Sequence, residues 1–357
     1  MTVLTPLDTR IHHLTPEAIS RTLSVIATID EMKGQWVAGA KLHPQILGSL
    51  KKSVLITSTG ASTRIEGAHL SDEDIDRLMH GISIQKFRDR DVQEVKGYHE
   101  LLTNVFESWQ TLHLSESLMK SFHKELLKYV DKDELHRGEY KKKENKVIMI
   151  DEAGQSAGIL FDTTPAFLTP GAMQDLMEWT HNALARKTHH PLLIISSFLV
   201  EFLKIHPFED GNGRLSRVLT NLLLLQAGYA YILYVSHEKL IEDNKPDYYM
   251  ALRRSQKTFG TDHENIEPWV SFFLEIILQQ SKAAVHLMTD KRIETQLSKH
   301  QLTVWQYVQN TGETTMGDIV RDTHVSRATV KQVVVKLQKI GKIEMLGRGR
   351  GARYRKK

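Results

Sequence analysis

Apolar positions along this chain recur mainly at three- and four-residue intervals, the period of helices that bury one face. Residues 15–32 place Ile19, Leu23, Ile26 and Ile29 at that spacing, and residues 47–57 repeat the pattern. Ser71 stands before an acidic run, Asp72-Glu-Asp74, which predicts a capped helix start. Further helices are expected near residues 91–109, 115–129, 170–185, 190–205, 214–227, 245–258 and 265–286. One stretch departs from this period. Between Gly138 and Asp162, the runs Lys146-Val-Ile-Met-Ile150 and Gly158-Ile-Leu-Phe161 are joined through Gly154, and such a pair of β-prone runs predicts a hairpin. The chain therefore reads as mainly α, with a hairpin set into a helical body.

Leu192 to Ile205 is apolar nearly all round, so its helix is expected at the core. Ser196, Ser197, Glu201 and Lys204 interrupt it well short of the roughly 20 apolar residues of a membrane span, and no membrane association is expected. The helix runs into His206-Pro207, where proline disfavours helix at the residue before it. Asp210-Gly-Asn-Gly213 follows. A second apolar helix is expected from Arg214, carrying Leu219 and Leu222 to Leu225 and stopping at Gly228. A small glycine-bearing loop is thus held between two core helices and leads into a helix N-terminus.

That arrangement favours an anion. Free N–H groups at a helix start attract phosphate, and Gly211 and Gly213 let it approach the backbone. Arg214 and Arg217, three residues apart in the first turns, oppose the helix dipole unless an anion neutralises them. Asp210 offers a hard oxygen ligand of the kind Mg²⁺ takes beside substrate phosphates. His206 is the nearby residue that accepts a proton near neutral pH. Each feature alone is commonplace: a structural histidine, an Asp-Gly turn, a solvated arginine pair. Together within residues 206–217 they point to transfer of a phosphorus-containing group.

Composition adds limits. A length of 357 residues allows two or three domains, and 41% hydrophobic with 25% charged residues is an ordinary globular balance. With no cysteine, disulfides, thiolate nucleophiles and cysteine-bearing zinc sites are excluded. This and a start without a signal pattern fit a cytoplasmic location. The pairs His12-His13 and His189-His190 lack further ligands at useful spacing and read as surface or loop residues rather than a metal site.

Charge divides the chain. From Lys291 to Lys357, 15 Lys and Arg stand against 5 Asp and Glu, which leaves the first 290 residues net negative although the whole is +4. Such asymmetry predicts a separate basic module with an anionic partner. Within it, Leu302–Val308, Met316–Arg321 and Ser326–Leu337 read as helices, and residues 341–346 and 352–354 flank a GRGRG tip. Helix, helix, helix, hairpin resembles a winged helix-turn-helix. On that likeness Arg327 and Lys331, with Ser326 and Thr329, would face a DNA major groove, while Arg348, Arg350 and Arg353 would meet phosphates. Such modules also serve dimerisation or protein docking, so a homodimer stays open beside DNA.

The string from His206 to Arg217, HPFEDGNGRLSR, fits the Fic signature H-x-F-x-D/E-G-N-G-R-x-x-R at every specified position. The chain is similar to that family over roughly residues 50–285, including Phe161 to Pro165, Met177 to Trp179, Tyr248, Tyr249 and Leu252, and Trp269 to Phe273. The resemblance implies a protein adenylyltransferase with a Fic-type helical core and a β-hairpin flap. His206 would deprotonate a Ser, Thr or Tyr hydroxyl of a target protein, which attacks the α-phosphorus of ATP. Asp210 would hold Mg²⁺; Gly211, Asn212 and Gly213 would bind phosphate oxygens; Arg214 and Arg217 would hold the outer phosphates. Phe208 would anchor the loop in the core. Lys146, Val147 and Ile148 of the flap would pair with the target backbone.

Residues 62–67, Ser-Thr-Arg-Ile-Glu-Gly, resemble the family's inhibitory motif S/T-x-x-x-E-G/N. It implies that Glu66, on one helical face with Ser62, bonds Arg217 as a bidentate pair and holds ATP in a non-productive pose. The expected domains are 1–90 with this helix, 91–288 as catalytic core and 289–357 as winged helix. Other readings are a regulator that senses nucleotide on a Fic fold, transfer of UMP or phosphate, and removal of AMP assisted by Glu66.

Overall fold

The computed structural model describes residues 5–39, 44–81, 89–150, 156–289, 299–339, 342–347 and 352–356. They fall into two compact units, Met1–Met288 and Thr289–Lys357.

The first unit is built of helices, α1 (Pro6–His12), α2 (Pro16–Gly39), α3 (Pro44–Ile65), α4 (Asp72–Met79), α5 (Asp89–Ser108), α6 (Glu116–Leu126), α7 (Thr169–Arg186), α8 (Pro191–Ile205), α9 (Asn212–Gln226), α10 (His237–Asp243), α11 (Lys245–Gln256) and α12 (Glu267–Thr289). Between α6 and α7 lie β1 (Lys146–Ile150) and β2 (Ser156–Asp162), an antiparallel pair in which Lys146 faces Asp162 and Val147 faces Phe161. The centre is formed by α8 and α9. Phe198, Phe202, Ile205, Leu215, Leu219, Leu222 and Leu225 are all buried there, and α3, α5 and α6 pack against α9. This apolar interior accounts for the all-round hydrophobicity of both segments.

Several expectations shift by a turn. The stripe on α2 is not the one read from the sequence: Ile26 and Ile29 are buried, but Ile19 and Leu23 are 40% and 57% exposed. The helix runs on to Gly39 and buries Trp36, which packs edge-on against Tyr231. Positions 18, 22, 29 and 36 fall close to one line of a 3.6-residue helix, so Ala18 and Thr22 turn inward and Ile19 and Leu23 turn away. The helix expected from Arg214 begins at Asn212, because Gly211 takes a left-handed conformation (φ 78) and starts it two residues earlier. Short α1 and α10, each capped by a hydroxyl (Thr5, Ser236), carried too few turns for periodicity to show. His12 and His13 are exposed, and His189 and His190 lie in the loop before α8, where the second pair finds partners. His190 accepts the Leu192 N–H at the start of α8 and meets Asp30 at 3.0 Å, and His189 meets Asp8 at 3.2 Å.

The second unit contains α13 (Lys299–Thr311), β3 (Glu313–Thr315), α14 (Met316–Thr323), α15 (Arg327–Lys339), β4 (Ile343–Leu346) and β5 (Arg353–Lys356). Its strands form an antiparallel sheet in the order β3-β5-β4. Val304, Trp305, Val308, Ile319, Val330, Val333, Val334, Leu337 and Ile343 make its core. The strand β3 was not read from the sequence; three residues with a single buried side chain, Thr314, give almost no alternation.

Candidate functional site

At the end of α8 the chain reverses through His206, whose backbone is left-handed (φ 50, ψ 61) and donates its N–H to Phe202 O at 2.9 Å. For a non-glycine residue this conformation costs roughly 1–2 kcal/mol, so surrounding contacts must hold it. Phe208 is fully buried and stacks on His123 with ring centres 3.9 Å apart. Asn212 reaches back from α9 with both ends of its amide: Oδ1 accepts from Phe208 N at 3.0 Å and Nδ2 donates to Phe208 O at 2.8 Å. The Asn212 side chain thus braces the loop from the first residue of α9.

His123, which the sequence did not single out, is the second brace. Its Nδ1 accepts from Gly138 N at 2.8 Å, so the proton sits on Nε2, which donates to Asp210 O at 3.0 Å. Burial pushes this imidazole down to about 4, against a weaker pull upward from Asp210, so it is a neutral strut at neutral pH.

No side chain caps α9. Its first turns carry Arg214 and Arg217, each only 2% exposed. Arg214 lies in an ionic ring. Its Nη1 is 2.8 Å from Glu94 and its Nη2 is 3.1 Å from Asp210, while Arg90 meets the same two carboxylates at 2.8 Å each. Arg217 Nε donates to Ser62 Oγ at 2.7 Å, and its Nη2 donates to Ser62 O at 2.9 Å and Glu66 Oε1 at 2.7 Å. The contact expected as a two-point carboxylate pair is therefore split. Ser62, a turn earlier on α3, takes one edge of the guanidinium, and Glu66, just past the helix end, reaches it with one oxygen. Arg217 Nη1 and Arg214 Nε are buried without a hydrogen-bond acceptor. Gly213 leaves room for the Glu66 carboxylate, since an added Cβ would sit 2.2 Å from Glu66 Oε1 and push that side chain aside.

The imidazole of His206 is held near 4, first by burial and then by the Lys141 ammonium, with Glu66 and Asp210 pulling the other way. Its Nδ1 lies 3.3 Å from Leu203 O, which favours the proton there and leaves the lone pair on Nε2. Asp210 lies below the usual carboxylate range: burial opposes its ionisation, but Arg214, the Gly211 N–H and Arg90 outweigh it. Among the described residues no group of three or more His, Cys, Asp or Glu could hold a metal ion. A single carboxylate fits Mg²⁺ when nucleotide phosphates supply further oxygens.

The other residues named from sequence lie elsewhere. Lys146, Val147 and Ile148 are in β1, which pairs with β2. In the second unit Arg327 and Lys331 are exposed on α15, and Arg353 is exposed on β5, 3.7 Å from Glu313. Arg348 and Arg350 lie outside the described residues. Arg90, Glu94, His123, Lys141 and Asn145 were missed. Their contacts join segments far apart in the chain, and Lys141 and Asn145 sit in a charged run, KKKENK, that reads as a solvated face.

Residues 113–224 match the family model described as the Fic/DOC family. The chain is 32% identical over 84 residues to a probable protein adenylyltransferase of Aquifex aeolicus, which is 24% of this chain and 25% of that protein. It is 31% identical over 103 residues to the protein adenylyltransferase Fic of Drosophila melanogaster, 29% of this chain and 18% of the relative. The match thus spans a quarter or less of these curated relatives. A crystal structure of a Fic family protein from Desulfovibrio desulfuricans superposes with a TM-score of 0.66 at 22% identity, covering 99% of this chain and 97% of that one.

Proposed function

The chain carries a Fic/DOC family domain, and from that premise we propose that it moves AMP from ATP onto a hydroxyl of a protein and is restrained by its own Glu66. The observation that carries this reading is the pair of buried guanidiniums at an uncapped helix start, with donors on Arg214 and Arg217 that lack acceptors. Buried cations with free donors fit a polyanion better than any role in packing. The names of the partly matching relatives favour ATP as its source.

In this reading the backbone N–H groups of Asn212, Gly213 and Arg214 take phosphate oxygens, with the helix dipole behind them. Asp210 would hold Mg²⁺, which supplies charge neutralisation across the phosphates. Before that, Asp210 must release at least Arg90, since its Oδ2 serves two guanidiniums. His206 is neutral and holds a lone pair on Nε2, so it accepts the proton of the incoming hydroxyl. The hydroxyl oxygen bonds to the α-phosphorus, the bond to the oxygen bridging the α- and β-phosphorus breaks, and pyrophosphate leaves.

Glu66 restrains the site by position. Its Oε1 holds Arg217 Nη2 and lies over Gly213, where an outer phosphate would approach α9. Removing the carboxylate frees both places. Glu66→Gly is expected to raise labelling of protein by ATP carrying ³²P at its α-position at least about 10-fold, the effect of a 1.4 kcal/mol change in a competing contact. Adding His206→Ala to that chain is expected to abolish it. The reading fails if Glu66→Gly labels no better than the unaltered protein while both bind ATP alike.

A further inference from the structure

Lys141 is 3% exposed, yet none of the partners of its ammonium is a carboxylate. Its Nζ lies 2.8 Å from Asn145 Oδ1, 2.9 Å from Thr163 Oγ1 and 3.0 Å from Ile205 O, which accounts for all three N–H donors. Its backbone N–H donates to Pro207 O at 2.8 Å. The carbonyls on either side of His206 are thus held by one residue, which brackets the left-handed turn. The ammonium also lies at the last carbonyl of α8, where a positive charge is favourable.

The other two partners are the feet of the hairpin. Asn145 immediately precedes β1 and Thr163 immediately follows β2. They are bound to each other, Thr163 Oγ1 donating to Asn145 O at 2.8 Å. Asn145 Nδ2 donates onward to Phe208 O at 3.0 Å, and Thr164 N donates to Lys204 O at 3.1 Å. These two onward bonds land on Phe208 and Lys204, on either side of the histidine. An apolar side chain of equal length would fill this space without the cost of burying a charge. The cost is visible in the ammonium itself: burial, offset in part by Glu144, brings it down to about 8.

We propose that Lys141 is a positioning residue that couples the hairpin to His206, setting the distance between a protein strand docked on β1 and the base that takes its proton. The proposal deepens the proposed function, to which the role of His206 belongs, and adds to it the docking of a target strand on β1 that the family resemblance implies. The geometry it explains is independent of which group is transferred. The charged groups facing His206 are Lys141, Glu66 and Asp210. Removing the first leaves two anions, so the imidazole of Lys141→Met must titrate at higher pH.

The test compares Lys141→Met and Lys141→Arg in the full chain carrying Glu66→Gly, with the His206→Ala chain as protein acceptor. For Lys141→Met, kcat/KM for the acceptor is expected to fall about 100-fold, since small misplacements of a base cost that much. The Kd for ATP should stay within about 2-fold, because α9 is not touched. Lys141→Arg keeps the charge but not the three-way donor geometry, and it is expected to restore the titration of His206 more than the rate. By NMR, the His206 ring of Lys141→Met titrates upward and the amides of residues 146–150 exchange faster. If Lys141→Met does not fold, Thr163→Val removes one foot, and its rate and amide exchange decide the matter. An unchanged His206 midpoint with unchanged hairpin exchange overturns the proposal. If the Glu66→Gly chain transfers nothing, the proposed function fails, while the two NMR readings still decide the role of Lys141.

Discussion

At the scale of single residues, the centre of the site is a fully buried guanidinium shared between a hydroxyl and a carboxylate. Arg217 takes Ser62 on one edge and Glu66 on the other, and burial makes both contacts strong. Ser62→Ala removes a neutral acceptor but leaves the ion pair, so it should weaken the restraint by only about 1 kcal/mol. AMP transfer should then rise several-fold, clearly below the gain from Glu66→Gly, in the same labelling assay. Equal activation by the two would mean that α3 is held by Ser62 alone. The residues to which the proposed function gives chemistry were legible in sequence because they are local: His206, Asp210, Arg214 and Arg217 fall within one loop and the first turns of one helix. Glu94, Arg90 and His123 were not. Glu94 meets Arg214, and His123 meets Asp210 O, across long stretches of chain. Such pairs leave no spacing to read. The bracing of Phe208 by the Asn212 side chain was not legible, because a side chain that holds its own loop leaves no mark in a string of letters.

At the scale of elements, the restraint proposed for Glu66 would depend on how α3 is seated. Arg64, in its last turn, holds Glu242 of α10 with Nε at 2.6 Å and Nη2 at 3.1 Å, and Asp72 at the start of α4 with Nη1 at 3.0 Å. Ser58 Oγ donates to Ser236 Oγ at 2.7 Å, and Ser236 in turn reaches the buried Glu238. A two-point arginine–carboxylate pair that is mostly sheltered is the firmest of these anchors. Arg64→Ala is therefore expected to raise AMP transfer a few-fold with Glu66 still in place. Hydrogen exchange should show residues 58–66 opening more often; unchanged exchange there, or unchanged activity, would show that Glu66 is seated by Arg217 alone. The helices α5 to α9 were readable because each buries a long regular face. The bounds of α2 and α3 were not. In α2 the apolar positions divide, Ile19 and Leu23 facing out while Ile26, Ile29 and Trp36 face in, and α3 places Ser58, Thr59, Ser62 and Thr63 in the interior, where a hydrophobic pattern has nothing to register. Of these, Ser58 binds α3 to Ser236 at the cap of α10 and Ser62 binds Arg217, while Thr59 and Thr63 bond back to carbonyls of their own helix.

At the scale of the molecule, two consequences follow, one from the buried histidines and one from the distribution of charge. His123 and His206 are both held near 4, chiefly by burial, and are neutral in the folded state at neutral pH. Unfolded, each would take a proton near the ordinary value of 6.5. The unfolded chain thus binds more protons between these values. Stability is fully present above about pH 6.5 and falls as the pH drops towards about 4, by about 3 kcal/mol for the enclosed His123 alone. Urea unfolding at pH 7 and pH 5 should show it, and His123→Phe, which keeps the stack on Phe208, should show a smaller drop; an equal drop would remove His123 from the account. The second consequence concerns the basic unit. Arg327 and Lys331 stand exposed on α15, the helix after the α13–β3–α14 run, while its opposite face, Val330, Val333, Val334 and Leu337, makes the core. A helix packed on one side and cationic on the other suits the phosphates of a duplex, and such contacts release counterions. Fluorescence anisotropy of the full chain on duplex DNA is expected to show affinity falling steeply with salt. Replacing Arg327 and Lys331 by alanine should reduce the slope of log K against log salt by about two, and AMP transfer by the Glu66→Gly chain should not change. Binding that is absent, or indifferent to salt, would assign this unit to a protein partner or a second copy instead, because an uncharged or pre-paired surface has no counterions to release.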